Sequence, residues 1–68
     1  MLMPRYPDIQ ICLHSRNPLA MVSAVRSALR SADVDACEIR RFSEQALSED
    51  EPARVHDICS QWTDIEVL

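Results

Sequence analysis

Glycine is absent from this chain of 68 residues, and its absence excludes one group of binding sites. Phosphate-binding loops of the Gly-rich kind need glycine where the backbone approaches the ligand closely. Lysine is absent as well, so all seven basic residues are arginine. Eleven acidic residues leave a net charge of −4. This balance disfavours non-specific attraction to nucleic acid or to anionic lipid.

Long apolar runs are also missing. The longest unbroken run extends from Leu19 to Val22, far short of the roughly 20 residues that span a bilayer, so we expect no membrane segment. The first residues, MLMPRYPDIQ, lack the charged and apolar regions of a signal peptide. The three cysteines, at positions 12, 37 and 59, form no disulfide framework. Together these features predict reduced thiols and a cytoplasmic location.

The length and composition predict one small globular domain over residues 1–68, with residues 1–7 as an extended lead-in. The hydrophobic fraction of 47% and the charged fraction of 26% are typical of a folded domain. A chain of this size buries only about 60% of the surface that its unfolded form exposes. Small domains therefore often gain stability from a disulfide, a metal or a partner subunit.

Two segments alternate with the period of a half-buried strand. In the segment DIQICLH, residues 8–14, every second residue is apolar, and Gln10, Cys12 and His14 occupy the opposite face. The segment TDIEVL, residues 63–68, alternates in the same way, with Ile65 and Val67 on one face. The sequence therefore predicts a strand near each end of the chain.

Three helices are predicted between the strands. Asn17 and Pro18 are typical of a helix start, and the first helix should extend to about residue 31, where Asp33 takes the left-handed conformation. Asp35 with Glu38 resembles a capping box, and SEDEP, residues 48–52, should begin the third helix. Short connections make neighbouring helices antiparallel, so the two strands should be parallel. The expected fold is α+β, of order β-α-α-α-β, with three helices on one face of a two-stranded sheet.

Such a sheet has two open edges whose unpaired N–H and C=O groups can accept another strand. We therefore expect a protein–protein interaction or accessory domain, either a homodimer or a subunit of another protein's complex. The expected contact surfaces include Gln10 and Cys12 of the first strand and Arg26 and Arg30 of the first helix. Charged residues on the last strand, which discourage edge pairing, count against the homodimer.

An alternative function follows from the segment LHSRNP, residues 13–18. Ligands of α/β units bind beyond the carboxyl ends of strands, where the next helix presents free N–H groups. His14, Ser15, Arg16 and Asn17 would converge there and could bind a phosphate or another small anion. A turn and a helix cap explain the same residues without any ligand, and we favour that explanation.

Nucleic-acid binding through the helix 1 arginines is a third and weaker hypothesis. Arg16, Arg26 and Arg30 form a basic stripe, but the expected reading helix, EPARVHDICSQW, carries one arginine and a net acidic charge. Cys12 and His14 with His56 and Cys59 could in principle form a zinc site, although the strand alternation should keep the two pairs apart. No motif places an acid, a base and a nucleophile together. We therefore assign no catalytic residue, metal or cofactor.

Overall fold

The chain folds in the order β-α-α-α-β, as the sequence predicts. The computed structural model describes residues 3–68. Residues 1 and 2 of the predicted lead-in lie outside that range. The elements are β1 (Tyr6–Leu13), α1 (Pro18–Ser31), α2 (Ala36–Leu47), α3 (Pro52–Trp62) and β2 (Thr63–Val67).

The two strands form a parallel two-stranded sheet, which confirms the predicted topology. Ile11 lies beside Ile65, and Leu13 lies beside Val67. Among the helices, α1 lies against β1 and α3 against β2, whereas α2 packs mainly on the other two helices. The parallel direction of the two strands follows from the short connections, because four successive reversals, one at each joint between elements, return the chain to its original direction.

The start of β1 differs from the prediction. The strand begins at Tyr6, two residues before the predicted start at residue 8, and so includes Tyr6 and Pro7 of the predicted extended lead-in. The register shifts between Tyr6, which pairs with Thr63, and Gln10, which pairs with Asp64. Pro7 lies in this irregularity, where its missing N–H breaks no regular ladder. The extra residues let Tyr6 stack on Trp62, with ring centroids 6.1 Å apart, on the face that also carries Ile9.

Helix α1 begins and ends as predicted. The side-chain oxygen of Asn17 accepts a hydrogen bond from the Leu19 amide, and Pro18 occupies the first turn. Asp33 adopts a φ of 59° after the helix, and the Val34 amide donates to the Leu29 carbonyl at 3.0 Å. With the Asp33 amide donating to the Arg30 carbonyl, this is a Schellman motif. An aspartate therefore occupies the position that glycine most often takes.

Replacing Asp33 by glycine should stabilise the fold. A positive φ costs an L-residue about 1–2 kcal/mol, less for aspartate, and glycine removes that cost. We expect the free energy of unfolding to rise by about 0.5–1 kcal/mol, measured by urea denaturation. Ser31→Gly is the matched control, because in the last helical turn glycine should lower the same quantity by about 0.5–1 kcal/mol. A loss of stability in Asp33→Gly would contradict the assignment.

The remaining two helices begin differently from each other. Asp35 caps α2 by accepting from the Cys37 amide at 2.7 Å. The predicted capping box is not formed, because Glu38 pairs with Arg5 instead of turning back to residue 35. No side chain caps α3 at Glu51, although Pro52 occupies its first turn as predicted.

The core lies between the sheet and the helices. Its buried side chains come from all three helices and from β1: Ile11, Met21, Val22, Val25, Leu29, Ile39, Phe42, Ala46, Val55, Cys59 and Trp62. Leu47, the last residue of α2, is 57% exposed. Thr63 follows Trp62 directly without a loop, and its buried hydroxyl donates to the Cys59 carbonyl at 3.1 Å.

Candidate functional site

The outer edge of β1 is the first candidate surface. In a strand, the N–H and C=O groups of one residue point to the same side, and those of the next residue point to the other. The Leu68 amide donates to the Leu13 carbonyl at 2.7 Å, so the backbone groups of Leu13 and Ile11 point toward β2. Those of Gln10 and Cys12 therefore point outward. Both residues are exposed, and within residues 3–68 no other strand pairs with this edge.

The outer edge of β2 carries a different chemistry. By the same alternation, its outward backbone groups belong to Ile65 and Val67. Its exposed side chains are the carboxylates of Asp64 and Glu66. The Cys12 thiol lies 3.9 Å from the Glu66 carboxylate across the sheet. The solvent face of the sheet is therefore acidic toward β2 and uncharged at Gln10 and Cys12 of β1.

The junction of β1 and α1 uses two of its four predicted anion ligands for its own structure. The Ser15 hydroxyl accepts from the Asn17 amide at 3.1 Å, and the Asn17 side chain caps α1. His14 is exposed just beyond the end of β1. Of the four predicted residues, Arg16 lines the neighbouring cleft, whereas the other three do not. The structure thus supports the turn-and-cap explanation for Ser15 and Asn17.

That cleft has a volume of about 450 Å³ and lies between the junction and the start of α3. Arg16, His56 and Asp57 supply its charged and polar side chains, and Ala53 also lines it. The sequence did not lead us to expect residues of α3 in this cleft. The predicted topology could have indicated them, because a helix antiparallel to β2 must begin at the carboxyl end of the sheet, next to the start of α1.

The arginines of α1 lie on another surface. Arg26 and Arg30 are exposed, as predicted, and line a groove between α1 and α2. Arg40 lines the same groove from α2. Glu44 lies one helical turn after Arg40 on α2, but within residues 3–68 Arg40 forms no ion pair. Packing of α2 against α1 thus brings Arg40 to the same groove as Arg26 and Arg30.

Arg5 has a structural role that the sequence did not reveal. Its guanidinium carbon lies 5.1 Å from the centroid of the Trp62 ring, and its Nη2 lies 2.6 Å from the Glu38 carboxylate. Its amide donates to the Gln61 carbonyl. Arg41 lies three residues after Glu38 on the same helix, but helix spacing alone cannot show that Glu38 pairs instead with Arg5, 33 residues away in the sequence. The segment before β1 is therefore fastened to α2 and α3.

The three cysteines occupy different environments. Cys12 and Cys37 are exposed, whereas Cys59 is fully buried. Burial raises the pKa of the Cys59 thiol from its ordinary value of 9.0 to about 11, against a smaller opposing effect of a backbone hydrogen bond. Cys59 is thus held as a neutral thiol in the core, away from Cys12 and His14 on the solvent face. Within residues 3–68 no three His, Cys, Asp or Glu side chains are grouped as metal ligands.

Between residues 3 and 68, no helix has both the length and the apolar character needed to cross a bilayer. Comparisons with protein-family models, with curated proteins and with solved structures give no match to this chain. A function therefore has to be inferred from the chain's own surfaces.

Proposed function

We propose that this chain is a small cytoplasmic protein–protein interaction domain that self-associates through the open edge of β1. The observation that carries the proposal is the pair of outward-facing backbone positions at Gln10 and Cys12, which have no strand beside them within the described residues. The proposal gives the chain a binding role and no catalytic residue, metal or cofactor.

The energetics of the sheet support this proposal. Parallel pairs are slightly less stable than antiparallel pairs, and a sheet of two strands is marginal by itself. A second copy that adds its own β1 would convert two such sheets into one sheet of four strands. The new backbone hydrogen bonds would satisfy the outward groups of Gln10 and Cys12 in both copies.

The charges favour β1 over β2 as the contact edge. An antiparallel pairing of two β2 strands would bring Asp64 and Glu66 of both copies opposite one another, and like charges directly opposite are destabilising. A pairing of two β1 strands would bring together the uncharged side chains of Gln10 and Cys12. Pro7 and the irregular register limit the contact to the carboxyl half of the strand.

Cys12→Pro should abolish self-association. Proline removes an outward N–H and places its ring on the open edge, whereas the hydrogen bonds to β2 come from Ile11 and Leu13. Sedimentation equilibrium should show a dimer for the unsubstituted protein and a monomer for the variant. Cys12→Ser keeps the N–H and should remain dimeric. Gln10→Lys, which places like charges opposite each other, is a second test that does not depend on proline.

A protein that stays monomeric at millimolar concentration would contradict the proposal. So would a Cys12→Pro variant that keeps its native circular dichroism and remains a dimer.

A second candidate function is anion binding in the cleft beside Arg16. No side chain caps α3, so the Ala53 amide in its first turn can donate to an anion. Arg16 and His56 line the same cleft as Ala53. Titration with inorganic phosphate should then shift the amide resonances of Arg16, Ala53 and His56. The Asp57 carboxylate opposes an anion there, and the absence of any shift at millimolar phosphate would remove this candidate.

A further inference from the structure

The groove between α1 and α2, with a volume of about 380 Å³, combines charge of one sign with apolar side chains. Arg26 and Arg30 line it from α1, and Arg40 lines it from α2. Val34 and Ile39 form its apolar part, and both pack against the core. No acidic side chain lines this groove.

The three arginines form no ion pair within residues 3–68, where the ion pairs belong to Arg5 and Arg54. Arg26 and Arg30 are four residues apart on a helix that has no acidic residue, so their like charges repel each other. The position of Arg30 in the last turn of α1 is favourable for the helix dipole, but this reason does not apply to Arg26 or Arg40. A chain of net charge −4 thus concentrates positive charge at one place.

We propose that this arginine groove binds an acidic peptide segment of a partner protein, with an apolar side chain of that segment placed against Val34 and Ile39. The forked guanidinium groups of Arg26, Arg30 and Arg40 match the geometry of carboxylates. Charge complementarity carries the choice of partner, because the groove presents arginine from both walls and no carboxylate is among the side chains that line it. The groove lies on the helices and is therefore separate from the β1 edge.

Nucleic acid fits the same groove less well. A duplex would extend beyond the three arginines, and the chain also carries acidic clusters at residues 49–51 and on the solvent face of the sheet, which repel phosphates. The apolar side chains of Val34 and Ile39 have no function against a phosphate backbone. A short acidic segment with one apolar residue uses both parts of the groove.

The test is a titration, at low salt, of a fluorescein-labelled peptide in which glutamates flank one leucine. Fluorescence anisotropy should show binding that weakens as salt rises. The same peptide with glutamine in place of glutamate should not bind. Arg40→Gln should weaken binding by about three- to fivefold, as an exposed ion pair predicts, and Arg26→Gln should do the same.

Arg41→Gln is the matched control, because Arg41 neighbours Arg40 on α2 but lines a different cleft, beside Trp62. It removes the same charge and should leave affinity for the peptide unchanged. All of these substitutions are at exposed positions on the helices and leave β1 intact. Sedimentation of the same variants therefore separates a failure of this proposal from a failure of self-association through β1.

Any one of the following results would overturn the proposal: no binding of the acidic peptide at millimolar concentration, equal weakening by Arg40→Gln and Arg41→Gln, or tighter binding of random-sequence duplex DNA than of the peptide. If the acidic peptide does not bind and Arg40→Gln changes the oligomeric state, the groove contacts a second copy of the chain. That result would also overturn the proposal.

Discussion

Phe42→Ala should unfold most of the protein at room temperature. The Phe42 side chain is fully buried and meets the Trp62 ring edge-on, with centroids 5.7 Å apart. Removing a buried phenylalanine costs about 3–5 kcal/mol. In a chain of fewer than about 70–80 residues, a single hydrophobic core rarely supplies more than about 3–5 kcal/mol of stability, so the loss is as large as the whole free energy of unfolding. We therefore expect the variant to have lost most of its cooperative thermal transition by circular dichroism.

Leu47→Ala is the control for that experiment, since it removes a large apolar side chain from the same helix. Leu47 is 57% exposed, so its replacement should change the free energy of unfolding by about 0.5 kcal/mol or less. A Phe42→Ala protein with the same transition midpoint as Leu47→Ala would show that α2 does not pack as described.

Stability should fall steeply as the pH rises from about 9 to about 11. The pKa of Cys59 is about 11 in the folded protein and 9.0 in its ordinary environment. Between these values the unfolded chain loses the thiol proton and the folded chain keeps it, so ionisation favours unfolding. The stabilisation is fully present below pH 9, and about 2–3 kcal/mol of it is lost by pH 11. Urea denaturation at a series of pH values measures this loss.

The chain has no lysine, so no lysine ammonium group contributes to the change of stability between pH 9 and pH 11. Cys12→Ser/Cys37→Ser is the reference protein, since it retains Cys59 as its only thiol. Adding Cys59→Ala should remove most of the dependence between pH 9 and pH 11. A decline that is unchanged by Cys59→Ala would refute the assignment.

Local sequence signals were sufficient to predict the order of elements, the parallel sheet and the start of α1. The elements themselves depend on signals within one segment: alternation for the strands, and the Asn17-Pro18 pair with Asp33 for the limits of α1. The parallel sheet follows from the number of helices between the strands and from the short connections. The early start of β1 was not predictable in this way. Its irregular register places Tyr6 and Ile9 on one face, which breaks the period of two that identifies a strand.

The interaction surfaces were only partly predictable, because their residues come from distant parts of the chain. Helix periodicity correctly placed Arg26 and Arg30 on an exposed face. It could not bring Arg40 to the same groove, since that requires the packing of α2 against α1. Nor could it reveal that Glu38 pairs with Arg5 across the fold rather than with Arg41 on its own helix.

The direct passage from Trp62 to Thr63 limits the way in which two copies can join. Proteins that exchange a terminal strand between subunits do so by opening a hinge segment. Here the backbone changes from helical to extended at Thr63 itself, which is fully buried and bonded to the last turn of α3. Freeing β2 would require unwinding that turn and exposing Trp62. A dimer of this protein should therefore form by docking of intact subunits, with fast and reversible exchange on dilution.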